Sequence, residues 1–271
     1  MNVVSAQWLF EHLKIGEVVI IDCRFSLNDS KSGKQQYQQS HITGAYYFDL
    51  NEDLSAPVGE HGGRHPLPNL SELATKLSKM GVSHQTLVVA YDDSRLGFAA
   101  RLWWLLRYIG HEKVAVLDGG FAGWLSLSYP VTSEVREPLE ANLSTIYTGH
   151  VKSNMVADIN FVKNRKDLPG VVLVDSRENE RYLGIREPID KIAGHIEGAV
   201  NYPWQSVTDS SGYLLNVEDQ LQRWQDILGS QEIIVYCGSG VTACVNLLSL
   251  ELAGFRNARL YAGSWSDWIS Y

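Results

Sequence analysis

A chain of 271 residues, 45% hydrophobic and 20% charged, has the make-up of a globular protein with room for two domains that each bury a core of their own. Its formal net charge of −8 gives no electrostatic reason to expect nucleic acid or an anionic membrane as a partner. An anionic substrate must therefore be drawn in by local groups.

The first ten residues, Met-Asn-Val-Val-Ser-Ala-Gln-Trp-Leu-Phe, lack a basic segment leading into an apolar core and a small-residue cleavage site, and a cytoplasmic protein is expected. Ser5 stands before Ala6–Leu13 as an N-cap to a short helix, and Val18–Asp22 reads as a buried strand. The same pair returns later: Asp158 stands before Ile159, and Val171–Asp175 follows, each shifted by 153 residues. His41-Ile-Thr-Gly-Ala45 returns as His195-Ile-Glu-Gly-Ala199, Leu87–Tyr91 as Ile233–Tyr236, and Leu117–Trp124 as Tyr261–Trp268. The offsets drift while the elements persist, which marks an internal duplication with insertions in the loops. Each copy alternates buried strands with helices, so the expected class is α/β: two tandem domains, each a mainly parallel sheet covered by helices on both faces. The apolar stretch Ala99–Ile109 reads as one such covering helix, with Trp103 and Trp104 as packing residues. A polar segment carrying Pro138 breaks the pattern, giving expected domains over 1–135 and 154–271 joined by a linker over 136–153.

The second copy carries the most informative stretch, Ile233-Ile-Val-Tyr-Cys-Gly-Ser-Gly-Val-Thr-Ala-Cys-Val-Asn-Leu-Leu. A β-branched run ends at Cys237, two glycines follow within four residues, and helical spacing resumes at about Thr242. Gly238 and Gly240 let the loop curl so that successive N–H groups converge on the Cys237 sulfur, and the helix adds its positive end. A thiol so placed is a stronger acid than a free one, and its thiolate is a nucleophile. In the first copy Asp92 takes the nucleophile's place. A carboxylate lacks a nucleophilic sulfur, and Asp92-Asp-Ser-Arg-Leu-Gly97 lacks the two early glycines, so this loop is expected neither to gather N–H groups nor to act.

Cys237-Gly-Ser-Gly-Val-Thr242, on its strand-loop-helix background, resembles the active-site loop of the rhodanese superfamily in the form typical of its mercaptopyruvate sulfurtransferases. The tandem arrangement with one silent domain resembles that family over nearly the whole chain. The resemblance implies two rhodanese-like domains and a sulfurtransferase moving sulfur from 3-mercaptopyruvate to a thiol such as thioredoxin, a small thiol or cyanide, through a Cys237 persulfide. It implies Ser239 and Thr242 as catalytic hydroxyls and Gly238, Gly240 and Val241 as the cradling loop. Arg181, in Asp175-Ser-Arg-Glu-Asn-Glu-Arg181, matches the family position that holds the donor anion, and Arg offers two parallel hydrogen bonds to it. A second arginine precedes the Gly-His-Ile motif in many relatives; here Arg186 or Lys191 is the candidate. Gly63-Arg-His65-Pro-Leu-Pro68 resembles the loop that places a histidine near the nucleophile, although Asn51 stands where the family's relay has an aspartate.

The paired Asp22 and Arg24, and Asp175 and Arg177, occur in both copies and are expected to form structural ion pairs at the domain junction, while His41 and His195 are expected to build the fold rather than react. Cys244 reads as a small buried hydrophobe. With three cysteines, no Cys-x-x-Cys and no histidine pair at ligand spacing, neither a disulfide framework nor a metal or other cofactor is expected. A phosphatase of this fold would carry an arginine six residues after the cysteine, where this chain has Ala243. Thiosulfate:cyanide transfer is the alternative within the class, and a non-catalytic binding module of the same fold is more remote.

Overall fold

The computed structural model describes residues 1–13, 18–138 and 150–271. It divides into two compact units. Unit 1 comprises Met1–Ala56, Pro68–Lys152 and Ser210–Leu214; unit 2 comprises Pro57–Leu67, Ser153–Asp209 and Leu215–Tyr271. Most of the linker expected over 136–153 lies outside the described residues.

Unit 1 runs β1 (Val3–Val4), α1 (Ala6–His12), β2 (Val18–Asp22), α2 (Ser32–Gln39), β3 (His41–Ile42), β4 (Tyr46–Tyr47), α3 (Leu70–Lys79), β5 (Leu87–Tyr91), α4 (Ala99–Tyr108), β6 (Val114–Leu117), α5 (Gly120–Ser126) and β7 (Val131–Thr132). Unit 2 runs β8 (Val156–Ala157), α6 (Ile159–Arg165), β9 (Val171–Asp175), α7 (Asn179–Tyr182), β10 (Val200–Asn201), α8 (Val217–Arg223), β11 (Glu232–Tyr236), α9 (Ala243–Leu252), β12 (Ala258–Tyr261) and α10 (Ser264–Trp268). The first sheet has strand order β1-β6-β5-β2-β4 and the second β8-β12-β11-β9-β10, the same order element for element. Every pairing in both is parallel, so the α/β class and the duplication read from the sequence hold. β3 and β7 add a two-stranded antiparallel ribbon to unit 1.

The same local chemistry builds both copies. Ser5 Oγ accepts from Trp8 N at 3.1 Å, and Asp158 Oδ1 from Phe161 N at 2.7 Å, each satisfying an N–H that its helix leaves unpaired. In register Asp22 lies opposite Tyr91 and Asp175 opposite Tyr236. Each aspartate holds the arginine two residues on at 2.6 Å, fully buried. That arginine in turn donates to the carbonyl of Ser40 or Gly194, fastening the strand end to the turn before the repeated His-Ile pair. Tyr91 and Tyr236 hydroxyls accept from the backbone of Ile42 and Ile196, and His41 and His195 stack on Tyr37 and Tyr182. These residues are structural in both units, and each pair works inside its own unit.

Separate clusters fill the two cores: Leu9, Val89, Leu117, Phe121 and Trp124 among others in unit 1, and Val162, Leu173, Ile234, Tyr261 and Trp265 in unit 2. Helices α4 and α9 are apolar on nearly every face, and Trp103 and Trp104 are buried in α4 as packing residues, with Trp104 stacked on Tyr108. Among the described residues no helix is long and apolar enough to cross a membrane. β5 and β11 are the middle strands of their sheets, and the loops leaving their C-terminal ends carry Asp92 and Cys237. In open parallel sheets this is the end at which ligands bind.

Candidate active site

Cys237 ends β11 and is 98% buried by its surroundings, its relative exposure being 2%. The loop turns at Gly240, whose φ of 76° suits glycine, and a Cβ there would lie 2.2 Å from the Ala262 carbonyl oxygen. The carbonyls of Cys237 and Gly238 are taken up by the N–H groups of Trp265 and Ser266 at 3.0 and 2.9 Å, at the start of α10. The loop's N–H groups are thereby left to face inward. Burial alone would push the Cys237 thiol up. The Thr242 hydroxyl and the N–H groups of Ser239, Ala243 and Gly240, all bonded to the sulfur, outweigh it and hold the thiol below its ordinary range. Val241 is buried in the turn. The helix begins at Ala243 with Thr242 as its cap residue, one position later than expected. Cys244 points back to the Gly240 carbonyl, and Cys23 is buried in unit 1, where burial and the carboxylates of Asp22, Asp92 and Asp53 push its thiol well up.

The 57–67 segment brings two side chains to this loop within unit 2. His65 Nδ1 lies 2.8 Å from Ser239 Oγ, both residues buried. Arg64 and Arg181 cover Gly238, where an added Cβ would lie 2.9 Å from Arg64 Nη2 and 3.5 Å from Arg181 Nη2. Arg181 binds Glu187 through Nε at 3.1 Å and Nη2 at 2.7 Å, and Asp190 at 3.0 Å. Arg64 pairs with the other oxygen of Asp190. Burial pulls the Arg64 guanidinium down, and the neighbouring Cys237 thiolate pushes it up.

Arg186 does not join them. Its side chain is 55% exposed and binds Glu178 and Glu180 at 3.0 and 3.1 Å, two carboxylates at the start of α7. Lys191 is exposed as well. Asn51, in unit 1, is exposed and uses its backbone N–H on the Asp49 carboxylate. The residues that sequence reasoning missed are Arg64, Glu187 and Asp190. Arg64 stands beside His65 in the quoted Gly-Arg-His-Pro motif, and that adjacency was the available signal.

The counterpart loop in unit 1 corrects a second expectation. Its N–H groups do converge: Asp92 Oδ1 accepts from Ser94 and Leu96 at 2.8 and 3.0 Å, and Oδ2 from Phe98 and Ala99 at 2.8 Å each. Positive φ at Arg95 (56°) and Leu96 (69°) replaces the glycines. Burial pushes the Asp92 carboxyl up, against the pull of Ala99, Phe98 and Ser94.

A cysteine at the C-terminal end of the central strand, ringed by N–H donors, in a chain built of two like sheets, is matched by the family model of the rhodanese-like domain at residues 5–127 and again at 158–271. The chain belongs to the rhodanese family. A protein of Pseudomonas aeruginosa named as a probable 3-mercaptopyruvate sulfurtransferase is 42% identical over 99% of this chain and 95% of its own. Rat thiosulfate sulfurtransferase is 33% identical over 98% of this chain and 91% of its own. Among solved structures, SseA from Escherichia coli superposes with a TM-score of 0.81 at 30% identity, covering 98% of this chain and all of that one. The 3-mercaptopyruvate sulfurtransferase from Leishmania major gives a TM-score of 0.86 at 28% identity, over 98% of this chain and 74% of that one. The rhodanese-like pair thus places this chain with the tandem-domain sulfurtransferases.

Proposed function

We propose that the chain moves sulfur from 3-mercaptopyruvate to a thiol acceptor or cyanide through a persulfide on Cys237. The observation that carries this reading is the acidified, N–H-ringed thiol of Cys237 beside two guanidiniums. In the first half-reaction the thiolate attacks the donor sulfur. The carbon–sulfur bond breaks and its electron pair stays with the pyruvate enolate, while the S–S bond forms on Cys237. The enolate takes a proton, and Ser239, held at 2.8 Å from His65, is the hydroxyl placed to pass it. In the second half-reaction an acceptor thiolate, from thioredoxin or a small thiol, attacks the outer sulfur and Cys237 leaves as thiolate. The same N–H groups stabilise the anion before and after transfer, each such bond contributing roughly 1.5–3 kcal/mol.

Unit 1, with a carboxylate filling its loop, is read as silent. Thiosulfate is the second reading, favoured by Arg64, which brings a second positive charge to the loop as a compact dianion requires. Steady-state kinetics with both donors, side by side, decides between them. The expected outcome is a higher kcat/KM for 3-mercaptopyruvate, together with a sulfur adduct on Cys237 alone by mass spectrometry. A tenfold or greater preference for thiosulfate would replace the first reading with the second.

A further inference from the structure

Helix α10 does more than brace the nucleophile loop. From one side of it Trp265 N and Ser266 N donate to the Cys237 and Gly238 carbonyls at 3.0 and 2.9 Å. From another it grips the segment that brings His65. Residues 57–67 form neither helix nor strand, so their course is set by the groups outside the segment to which their backbone bonds. Those groups follow one another along α10. Gly62 N donates to Asp267 Oδ1 at 2.7 Å and Arg64 N to Ser266 Oγ at 3.1 Å. Between them Gly63, with φ of 80°, packs so closely that a Cβ on it would stand 2.4 Å from the Gly263 carbonyl oxygen and 2.8 Å from Ser266 Oγ. One residue earlier, His61 Nδ1 lies 2.8 Å from Ser270 Oγ, and its ring stacks on Tyr271 at 4.0 Å. One residue later comes His65, whose Nδ1 meets Ser239 Oγ at 2.8 Å. Both acceptors are themselves fixed. Asp267 is 4% exposed, and its other oxygen accepts from the Tyr261 hydroxyl at 2.7 Å. Ser266 Oγ donates to the Gly263 carbonyl at 3.2 Å. Ser266 therefore joins the two parts, its N–H bonded to the nucleophile loop and its hydroxyl to the segment. His65 and Ser239 lie 174 positions apart in the chain, and α10 is the body to which both their loops are fastened.

We infer that Ser266 and Asp267 are positioning residues: through them α10 sets His65 against Ser239, and so governs turnover of a donor whose leaving group must be protonated. The inference rests on the sulfur transfer proposed above. The two donors separate this placement from general integrity of the fold. Breaking the carbon–sulfur bond of 3-mercaptopyruvate leaves the electron pair on an enolate that takes a proton. Breaking the S–S bond of thiosulfate leaves the pair on sulfite, which departs without one. Ser266→Ala and Asp267→Ala each remove an acceptor, whereas Gly63→Ala removes no bonding group and drives a Cβ into the Gly263 carbonyl. Each is expected to lower kcat with saturating 3-mercaptopyruvate about 10- to 100-fold, as displacement of a proton-transfer group implies. With saturating thiosulfate kcat should stay within about threefold, and so should the rate of Cys237 alkylation, because the N–H groups on the sulfur are untouched. Asp267→Asn keeps an acceptor for Gly62 N–H and turns its amide to the Tyr261 hydroxyl oxygen, and should recover most of the loss. A fall of similar size with both donors overturns the inference, since α10 would then support only the fold. So does kcat with 3-mercaptopyruvate within about threefold in all three variants. Amide hydrogen exchange reads the same contacts without turnover: Gly62 and Arg64 should be protected in the unmodified protein and lose at least about tenfold of that protection in Asp267→Ala and Ser266→Ala respectively. Unprotected amides in the unmodified protein overturn the inference as well. If the unmodified protein turns over neither donor, the proposed function fails, and exchange still decides whether α10 holds the segment.

Discussion

Two loops at equivalent places in the two sheets surround an anion with backbone N–H groups, yet one holds the thiol proposed as the reagent and the other a carboxylate that acts as a strut. Around Cys237 the donors are the second, third and sixth residues onward, Ser239, Gly240 and Ala243, joined by the Thr242 hydroxyl, and they meet on a single sulfur. Around Asp92 the donors are Ser94, Leu96, Phe98 and Ala99, spread over two oxygens. The carboxylate reaches further from its own backbone and saturates its cradle, so nothing reactive is left over. The silence proposed for unit 1 therefore does not require the loop to be dismantled. An anion of different chemistry suffices, and Asp92 serves as an internal staple tying the end of β5 to the start of α4.

Replacing the reagent has the largest expected effect. Cys237→Ser should lower sulfur transfer at least about a thousandfold with either donor, because a hydroxyl forms no persulfide, while leaving the circular dichroism spectrum unchanged. Residual turnover above one per cent would show that the sulfur is carried elsewhere. Replacing the staple should act on stability instead. Asp92→Ala leaves four buried N–H groups without their acceptor and is expected to cost about 2–4 kcal/mol in chemical denaturation, with kcat/KM for the folded protein nearly unchanged. Asp92→Cys combined with Cys237→Ser should remain inactive, since donors arranged for two oxygens do not converge on one sulfur. Measurable turnover in that double variant would make the two cradles interchangeable and the comparison empty.

How far these differences could be read in advance follows from the kind of residue involved. The duplication, the parallel α/β class and the Asp-x-Arg pairs were legible because they recur at near-constant offset and obey strand and cap chemistry. Cys237 was legible because its glycines announce a curled loop. The Asp92 cradle was not, because Arg95 and Leu96 adopt positive φ that no rule for side-chain-bearing residues favours; tertiary structure imposes it. Arg64 and Asp190 were hidden for another reason: they lie 126 positions apart, and local pattern carries no information about such a meeting. Arg186, a candidate together with Lys191 for the second donor arginine, lies apart from the loop because Glu178 and Glu180 claim it on the exposed face. The short segments 57–67 and 210–214, which pack in the unit that does not contain their sequence neighbours, left no trace in periodicity.

A gentler probe of the same contrast uses pH. Cys237 is held below and Cys23 well above the ordinary thiol range, so iodoacetamide at neutral pH should modify Cys237 first, with a rate that levels off below the range of a free thiol. Because the folded Cys237 thiol is the stronger acid, its contribution to stability is complete above the unfolded thiol pKa of about 8.5 and is lost as pH falls through the lower folded value. Removing the Thr242 hydroxyl with Thr242→Val should shift the inflection of the alkylation profile upward. An unchanged profile would mean that the backbone N–H groups alone acidify the sulfur.

The smallest effect is expected one layer back, where the two copies differ by a single hydroxymethyl group, Gly120 against Ser264. Phe121 N donates to the Asp92 carbonyl at 2.8 Å and Trp265 N to the Cys237 carbonyl at 3.0 Å, so α5 and α10 brace the two loops alike. The residue before each brace has positive φ, 55° at Gly120 and 57° at Ser264. Glycine adopts that conformation freely and serine does not, at a cost of roughly 1–2 kcal/mol. What Ser264 supplies in return is its hydroxyl, which accepts from Cys237 N at 3.1 Å and donates to the Tyr261 carbonyl at 2.9 Å, all of it buried. Ser264→Gly removes the strain and both bonds, about 1 kcal/mol each, so the stability change should stay within about 1 kcal/mol of zero. Its effect on chemistry should be slight as well, because the bond it loses holds the nucleophile's backbone and not its sulfur: kcat/KM is expected to fall by less than about threefold. A tenfold fall in kcat at unchanged stability would place Ser264 among the groups that hold the thiolate in position, and would make that hydroxyl, rather than the cysteine alone, part of what separates the reactive loop from the stapled one.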